Sequence, residues 1–418
     1  MSDDAVKRPG SADPDDMLTL ITEVGEALNS SSYPVPLTQQ VLHEICTTYD
    51  YDATTEVFAT YIIALDRQRG RTAMANSTTP YRFDQIADTE TLVHRLRREP
   101  IPVPDALHKL RAIAAAPPPI HPLVRIAGYM LMALGFAMCF RMSPLASVAA
   151  VVLSIPIAAV LLWSGTKPAI TALMPVLLTF LAALPIALWS VHGGFDDPVR
   201  LAVIPVVTLI PGAALTTALI ELTTGDMIAG STRLVSALIV LLSMAFGFAL
   251  ALDVAGLTSV HLQDLTSEQA PSWVLWLAGP VFAVGNTLYF CTPQRLWVWT
   301  IGLTFGTFWL NNVTQLVILP AFAGGIALGV TLLVAWVVSD RAKGHPSALV
   351  MYLPPFWLMV PGSMGFVAIS GVITEDRELS GLGTNAALSL LSMAICMMIA
   401  TVLAPLVIRL LNSWRPRP

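Results

Sequence analysis

Ten apolar stretches follow the triple proline Pro117 to Pro119, each near the ~20 residues a helix needs to cross a ~30 Å hydrocarbon core. They run over 123–140, 145–163, 169–191, 199–220, 230–252, 272–290, 296–311, 316–338, 348–371 and 385–411. Inside lipid a backbone satisfies its own polar groups only as a helix or a closed barrel, so this pattern dictates an α-helical polytopic membrane protein. Only 12% of the 418 residues are charged and 55% are hydrophobic, against about 25% charged in a soluble average, which excludes a disordered chain and a single soluble domain.

The charges are segregated. Residues 1–117 hold 11 basic and 17 acidic side chains, and the remaining 301 residues hold 12 and 11. An acidic, soluble-looking head therefore precedes a charge-poor body. The net charge of −5 offers no basic face for nucleic acid. Cys46, Cys139, Cys291 and Cys396 are scattered singly, which supplies neither a zinc site nor a disulfide framework.

Residues 1–16 are polar and acidic, with no apolar secretion signal, and are expected to be a disordered, cytoplasmic N-terminus. Residues 17–117 read as a cytosolic helix-strand-helix domain, a small α/β unit. Met17, Leu18, Ile21, Val24 and Leu28, then Leu37, Val41, Leu42 and Ile45, recur at helical spacing. Thr54 to Leu65 reads as a strand, Asp66 to Gly70 as a turn and Arg71 to Asn76 as a returning strand. Helices follow over 83–98 and 105–116. Nothing in the head looks catalytic; His43, His94 and His108 are dispersed, and Arg95, Arg97 and Arg98 form a solvated charge run.

Orientation follows from Lys and Arg, which stay on the cytoplasmic side. With the head inside, inner positions hold Arg125, Lys167, Arg233, Arg295, Arg341, Lys343, Arg409, Arg415 and Arg417, against Arg141, Arg200 and Arg377 outside. Both termini are thus expected in the cytoplasm, in a cytoplasmic (inner) membrane. The acidic break at 257–270 is expected to be an extracytoplasmic linker between a first five-helix repeat, 118–256, and a second, 271–418. Five spans per half is odd, so the ten transmembrane helices form a 5+5 inverted repeat.

The fourth span of each half carries the same interruption, Leu209-Ile210-Pro211-Gly212 and Met359-Val360-Pro361-Gly362, with Pro211 and Pro361 lying 150 residues apart. Proline removes a donor and glycine loosens the turn, so each break frees backbone groups within the membrane. Paired breaks in inverted halves point to a transporter's central site. The expected substrate-binding set is Thr208, Pro211, Gly212, Thr216 and Thr217 with Pro361, Gly362 and Ser363, and Gly135 in the first span is expected to matter less. Glu221, Asp226 and Arg233 are candidates for proton coupling or gating, against the plainer reading of loop residues with Asp226 capping the fifth span.

There is no phosphate-binding G-x-x-x-x-G-K-[ST] loop, no H-E-x-x-H and no G-x-S-x-G. No cofactor, metal or catalytic residue is expected, and secondary transport is the economical function. Partners are then a small-molecule substrate, protons and the lipid bilayer, with a homo-oligomer compatible with the reading.

Pro211-Gly212 through Glu221, then Gly225-Asp226 and Gly230, resembles the threonine/serine exporter family, and Gly285, Phe290, Pro293, Arg295 and Val360-Pro361-Gly362-Ser363 continue that order. The likeness spans about 17–411, in the fused form with both membrane halves on one chain. It implies export of L-threonine and L-serine driven by the proton motive force. Split relatives are linked to dicarboxylate export, so a succinate-like substrate is the alternative, and a non-transporting receptor is the rival of another class. The chain has Glu221 where the family usually has aspartate, Ile220 where a basic neighbour is common, Pro34-Val35-Pro36 in place of an Arg-Val-Glu run, and Asn286 where an apolar residue is typical.

Overall fold

The computed structural model describes residues 14–76, 79–164, 168–190, 198–256, 269–342, 345–359 and 377–413. Two compact units emerge, one of 1–119 with 221–232, the other of 120–220 with 233–418.

The first unit contains helices α1 (Pro14–Ser30), α2 (Val35–Thr48), α3 (Phe83–Leu96) and α4 (Val103–Ala115) and strands β1 (Ala53–Val57), β2 (Tyr61–Asp66) and β3 (Arg71–Asn76). The strands form one antiparallel sheet in the order β1-β2-β3, with Thr55 opposite Ala64 and Ile63 opposite Met74. Helix α1 packs on β2, β3, α2 and α4, burying Leu20, Ile21, Val24 and Leu28 at the spacing the sequence displays. Ile62 and Ala64 of β2 face that core while Leu65 points out, the two-residue alternation of a strand. The expected turn is present: Asp66 Oδ1 accepts from the Gln68 and Arg69 amides at 2.8 and 3.0 Å, and Gly70 takes φ +66°.

One head element differs from expectation. The apolar run 54–65 is two strands, not one, folded back at Ala59-Thr60 with the Phe58 amide on the Tyr61 carbonyl at 2.9 Å. That turn carries no Gly, Pro or Asn, the residues by which a hairpin announces itself, and the stacked Phe58 and Tyr61 rings, 4.4 Å apart, close it.

The second unit is helical: α5 (Pro122–Cys139), α6 (Pro144–Ser164), α7 (Pro168–Ser190), α8 (Pro198–Val203) running into a 3-10 turn (Ile204–Leu209), α9 (Gly212–Thr223), α10 (Met227–Val254), α11 (Val274–Tyr289), α12 (Trp297–Thr314), α13 (Pro320–Arg341), α14 (Ala348–Met359) and α15 (Arg377–Ser413). The last three residues of α9 and the first six of α10 lie in the first unit. Among the described residues six helices are long and apolar enough to cross a membrane, seven if Pro198–Leu209 and Gly212–Thr223, bent by 66°, count as one. The chain is therefore a largely helical, multi-pass membrane protein. Val274–Tyr289 and Ala348–Met359 are apolar but shorter, and the remainder of the expected span 348–371 lies outside the described residues.

Helix boundaries recur at a constant interval. Cys139 and Tyr289, Ser164 and Thr314, Pro198 and Ala348, Leu209 and Met359, and Met227 and Arg377 each begin or end a segment, and each pair is 150 residues apart. The helix ends agree in detail. Phe140 and Phe290 close α5 and α11 with φ −86° and −88°, and Arg141 and Cys291 follow in the left-handed region at 53° and 59°. The amides of Met142 and Thr292 then return to the carbonyls of Ala137 and Thr287, so both helices terminate in the same left-handed capping motif.

Helices α5 and α11 pack backbone to backbone. A Cβ on Gly128 would lie 2.8 Å from the Gly285 carbonyl oxygen, and one on Gly285 2.5 Å from that of Gly128. Gly135, expected to matter less than the glycines of the two breaks, is equally tight: its Cβ would lie 2.6 Å from the Phe282 amide nitrogen. Small residues let membrane helices approach this closely, and one sequence cannot distinguish such a contact glycine from one facing lipid.

Candidate functional site

The break at Pro211 is built from local chemistry. Proline disfavours helical backbone in the residue before it, and Ile210 is extended, with φ −64° and ψ 120°. Pro211 has no amide to donate, and the Gly212 amide turns back to the Ile210 carbonyl at 2.8 Å. The Leu215 amide on the Pro211 carbonyl at 2.9 Å then starts α9. The first amides of any helix lack intrahelical acceptors, and Ala213 in that first turn faces an open cavity.

The cavity contains about 490 Å³ of empty space, mouth included. Met132 and Phe136 of α5, Val207, Thr208 and Ile210 before the break, Gly212 and Ala213 after it, Phe282 and Phe290 on and just past α11, and Trp357 of α14 line it. Two aromatic contacts define its walls, Phe136 edge-on to Phe282 at 5.1 Å and Phe290 against Trp357 at 4.4 Å. Among the described lining residues Thr208 is the one with a side-chain hydroxyl, and none is ionisable. Its Oγ1 lies 3.0 Å from the Tyr129 hydroxyl, which donates to the Pro205 carbonyl at 2.7 Å. Tyr129 packs edge-on to Tyr289, and the Arg125 guanidinium lies 5.5 Å from the Tyr289 ring while donating to its carbonyl. The liners also follow the 150-residue interval: Met132 with Phe282, and Val207 with Trp357.

Of the expected substrate residues, the structure brings Thr208 and Gly212 to the cavity. Half-buried Pro211 makes the turn between them. Thr216 is buried in α9 with its hydroxyl on the Gly212 carbonyl at 3.2 Å, and Thr217 is half-buried beside it; neither lines the space. Pro361, Gly362 and Ser363 lie outside the described residues. The aromatic walls escaped the sequence reading, because Phe136, Phe282 and Trp357 sit in apolar spans where aromatic residues are ordinary; Phe290 stood only as part of the family resemblance.

None of the coupling candidates is among the described lining residues. Glu221, in the last turn of α9, is fully buried in the first unit, where Oε1 accepts from the Val35 amide at 3.2 Å. Asp226 Oδ1 accepts from the Ala229 amide at 3.0 Å, the geometry of an N-cap on α10. Arg233 is half-buried about two turns further on. No cluster of metal-ligating side chains occurs among the described residues.

A family model described as "Putative threonine/serine exporter" matches residues 19–255, more than half of the chain. No curated protein and no solved structure matches.

Proposed function

The chain belongs to the threonine/serine exporter family, and from that premise we propose that it is a secondary active transporter exporting L-threonine and L-serine across the cytoplasmic membrane, driven by the proton motive force. The observation that carries this reading is the cavity at the Pro211-Gly212 break, walled by aromatic rings, whose described lining offers one hydroxyl, helix-end backbone and no ionisable side chain. A zwitterion brings its own compensating charges into such a space. A dicarboxylate would leave water with two negative charges and meet no cation among the described lining residues, a costly transfer. The amino-acid reading is therefore preferred over succinate-like export.

The architecture proposed with it is ten spans in a 5+5 inverted repeat, both termini cytoplasmic, supported by the interval of 150 residues between helix boundaries and by the excess of inner Lys and Arg. The pairs Met132/Phe282 and Val207/Trp357 then put both halves on one central cavity, where Gly362 and Ser363 complete the site from the second break. The first turn of α9 directs its positive dipole end and open amides at the substrate carboxylate. Glu221 is the favoured coupling carboxylate, since a fully buried acid is expensive to keep charged. Asp226 and Arg233 remain its rivals for coupling or gating.

Proteoliposomes loaded with labelled threonine, serine or succinate test the reading. Release of threonine and serine that accelerates under an imposed proton gradient is expected. Gradient-driven release of succinate alone would select the dicarboxylate exporter, and no release of any of the three would leave the receptor reading.

A further inference from the structure

Asn286 is fully buried in α11, and among the described residues neither its Oδ1 nor its Nδ2 has a hydrogen-bond partner. A buried side-chain amide normally finds partners, because an unmade hydrogen bond in a desolvated place is costly. Its position is informative. Phe282 and Phe290, one helical turn before and after it, both line the cavity, and residues four apart share a helix face; Asn286 lies between them on that face and is not itself among the described lining residues. The residue 150 positions earlier is Phe136, itself a cavity liner, just as Met132 and Val207 correspond to the liners Phe282 and Trp357. The cavity has the complementary shortage: the single hydroxyl among its described lining residues, on Thr208, is already paired with Tyr129.

We infer that Asn286 is a substrate-contacting, specificity-determining residue for zwitterionic amino acids, its Nδ2 donating to the carboxylate and its Oδ1 accepting from the ammonium group. This rests on the transport function proposed above and adds a residue to it. An amide suits the task because it offers a donor and an acceptor without net charge, so it discriminates against both dicarboxylates and simple amines.

Titration calorimetry of threonine on the purified full-length protein tests it. Asn286→Leu, similar in volume, should weaken threonine binding by at least about tenfold, the scale of hydrogen bonds to charged groups, while thermal stability stays equal or rises because an unsatisfied amide is gone. Asn286→Asp should weaken threonine but shift preference towards threoninol, which keeps the ammonium and lacks the carboxylate. Wild-type threonine affinity in Asn286→Leu would overturn the inference. If leucine cannot be accommodated and the protein does not fold, Asn286→Ala is measured instead, with the same loss expected and wild-type affinity again overturning it. A wild-type protein that binds neither threonine nor serine overturns the transport reading and this inference together, whereas normal wild-type binding with unaffected variants overturns the inference alone.

Discussion

The Val35 amide donates to Glu221 Oε1 across 3.2 Å, joining residues 186 positions apart at the start of α2 and the end of α9. Helix α2 has Pro34 at its N-cap and no capping side chain of its own. The distant carboxylate thus satisfies an orphan amide at a helix N-terminus, where negative charge is favoured.

Glu221→Gln keeps an oxygen acceptor for Val35 and removes the titratable proton. It is expected to abolish gradient-driven threonine release while leaving threonine–threonine exchange in place, measured in the same proteoliposomes. Asp226→Asn should retain gradient-driven release, because asparagine caps a helix as well as aspartate, and Asp226→Ala should lower stability by about 0.5–2 kcal/mol through loss of the cap. Coupling lost in Asp226→Asn and kept in Glu221→Gln would transfer the role to Asp226.

The helical stretches, the Pro-Gly break and the Asp66 turn were legible in the sequence because each depends on local chemistry: apolar length, a missing amide, a side-chain oxygen over its own turn. Contacts between distant segments were not. Pro34-Val35-Pro36 and Glu221 appeared as two unrelated departures from the family pattern, and only folding brings them together. The cavity's aromatic walls and the Gly128–Gly285 crossing were hidden for the same reason, since an apolar span does not reveal which of its faces meets protein.

Topology is tested with single cysteines in a background lacking the four native thiols. Ser259→Cys in the expected external linker should react with an impermeant maleimide on intact cells. Ser347 would be a poor internal partner, being buried with its Oγ accepting from the Val350 amide at 3.1 Å. Exposed His345 in the same loop is the better position. His345→Cys should label only after the cells are opened, and the reverse pattern would invert the orientation.

Asp66 gives the head a defined acid response. Burial pushes its carboxyl up, but hydrogen bonds from the Arg69 amide, the Tyr51 hydroxyl, the Gln68 amide and the Arg69 guanidinium hold it net below the usual carboxylate value. A group depressed in the folded state stabilises above its unfolded pKa, about 3.9, and that contribution is lost as pH falls through the folded value. Asp66→Asn should therefore raise hydrogen exchange of peptides covering 61–76 in the full-length protein at pH 7, corrected for intrinsic rate. The difference from wild type should shrink below pH ~4, and a gap unchanged at acid pH would show that ionisation is not what Asp66 contributes.

Glycine substitutions separate packing from binding. Gly128→Val, Gly135→Val and Gly285→Val each push a side chain into backbone that cannot move aside, so each should cost about 1–3 kcal/mol or more of stability and reduce the yield of monodisperse protein. Gly302→Ala and Gly306→Ala on α12, where a Cβ meets nothing within 4 Å, are the proper controls and should lie within about 1 kcal/mol of wild type, on the stabilising side, from helix propensity alone. Gly212→Val places its bulk at the cavity lining and is expected to weaken threonine binding per folded molecule, as is Gly362→Val if the second break completes the same site. Calorimetry on the folded fraction distinguishes the two effects. Wild-type affinity in Gly212→Val would remove the break from the site, and reduced yield with unchanged affinity in Gly362→Val would confine that glycine to packing.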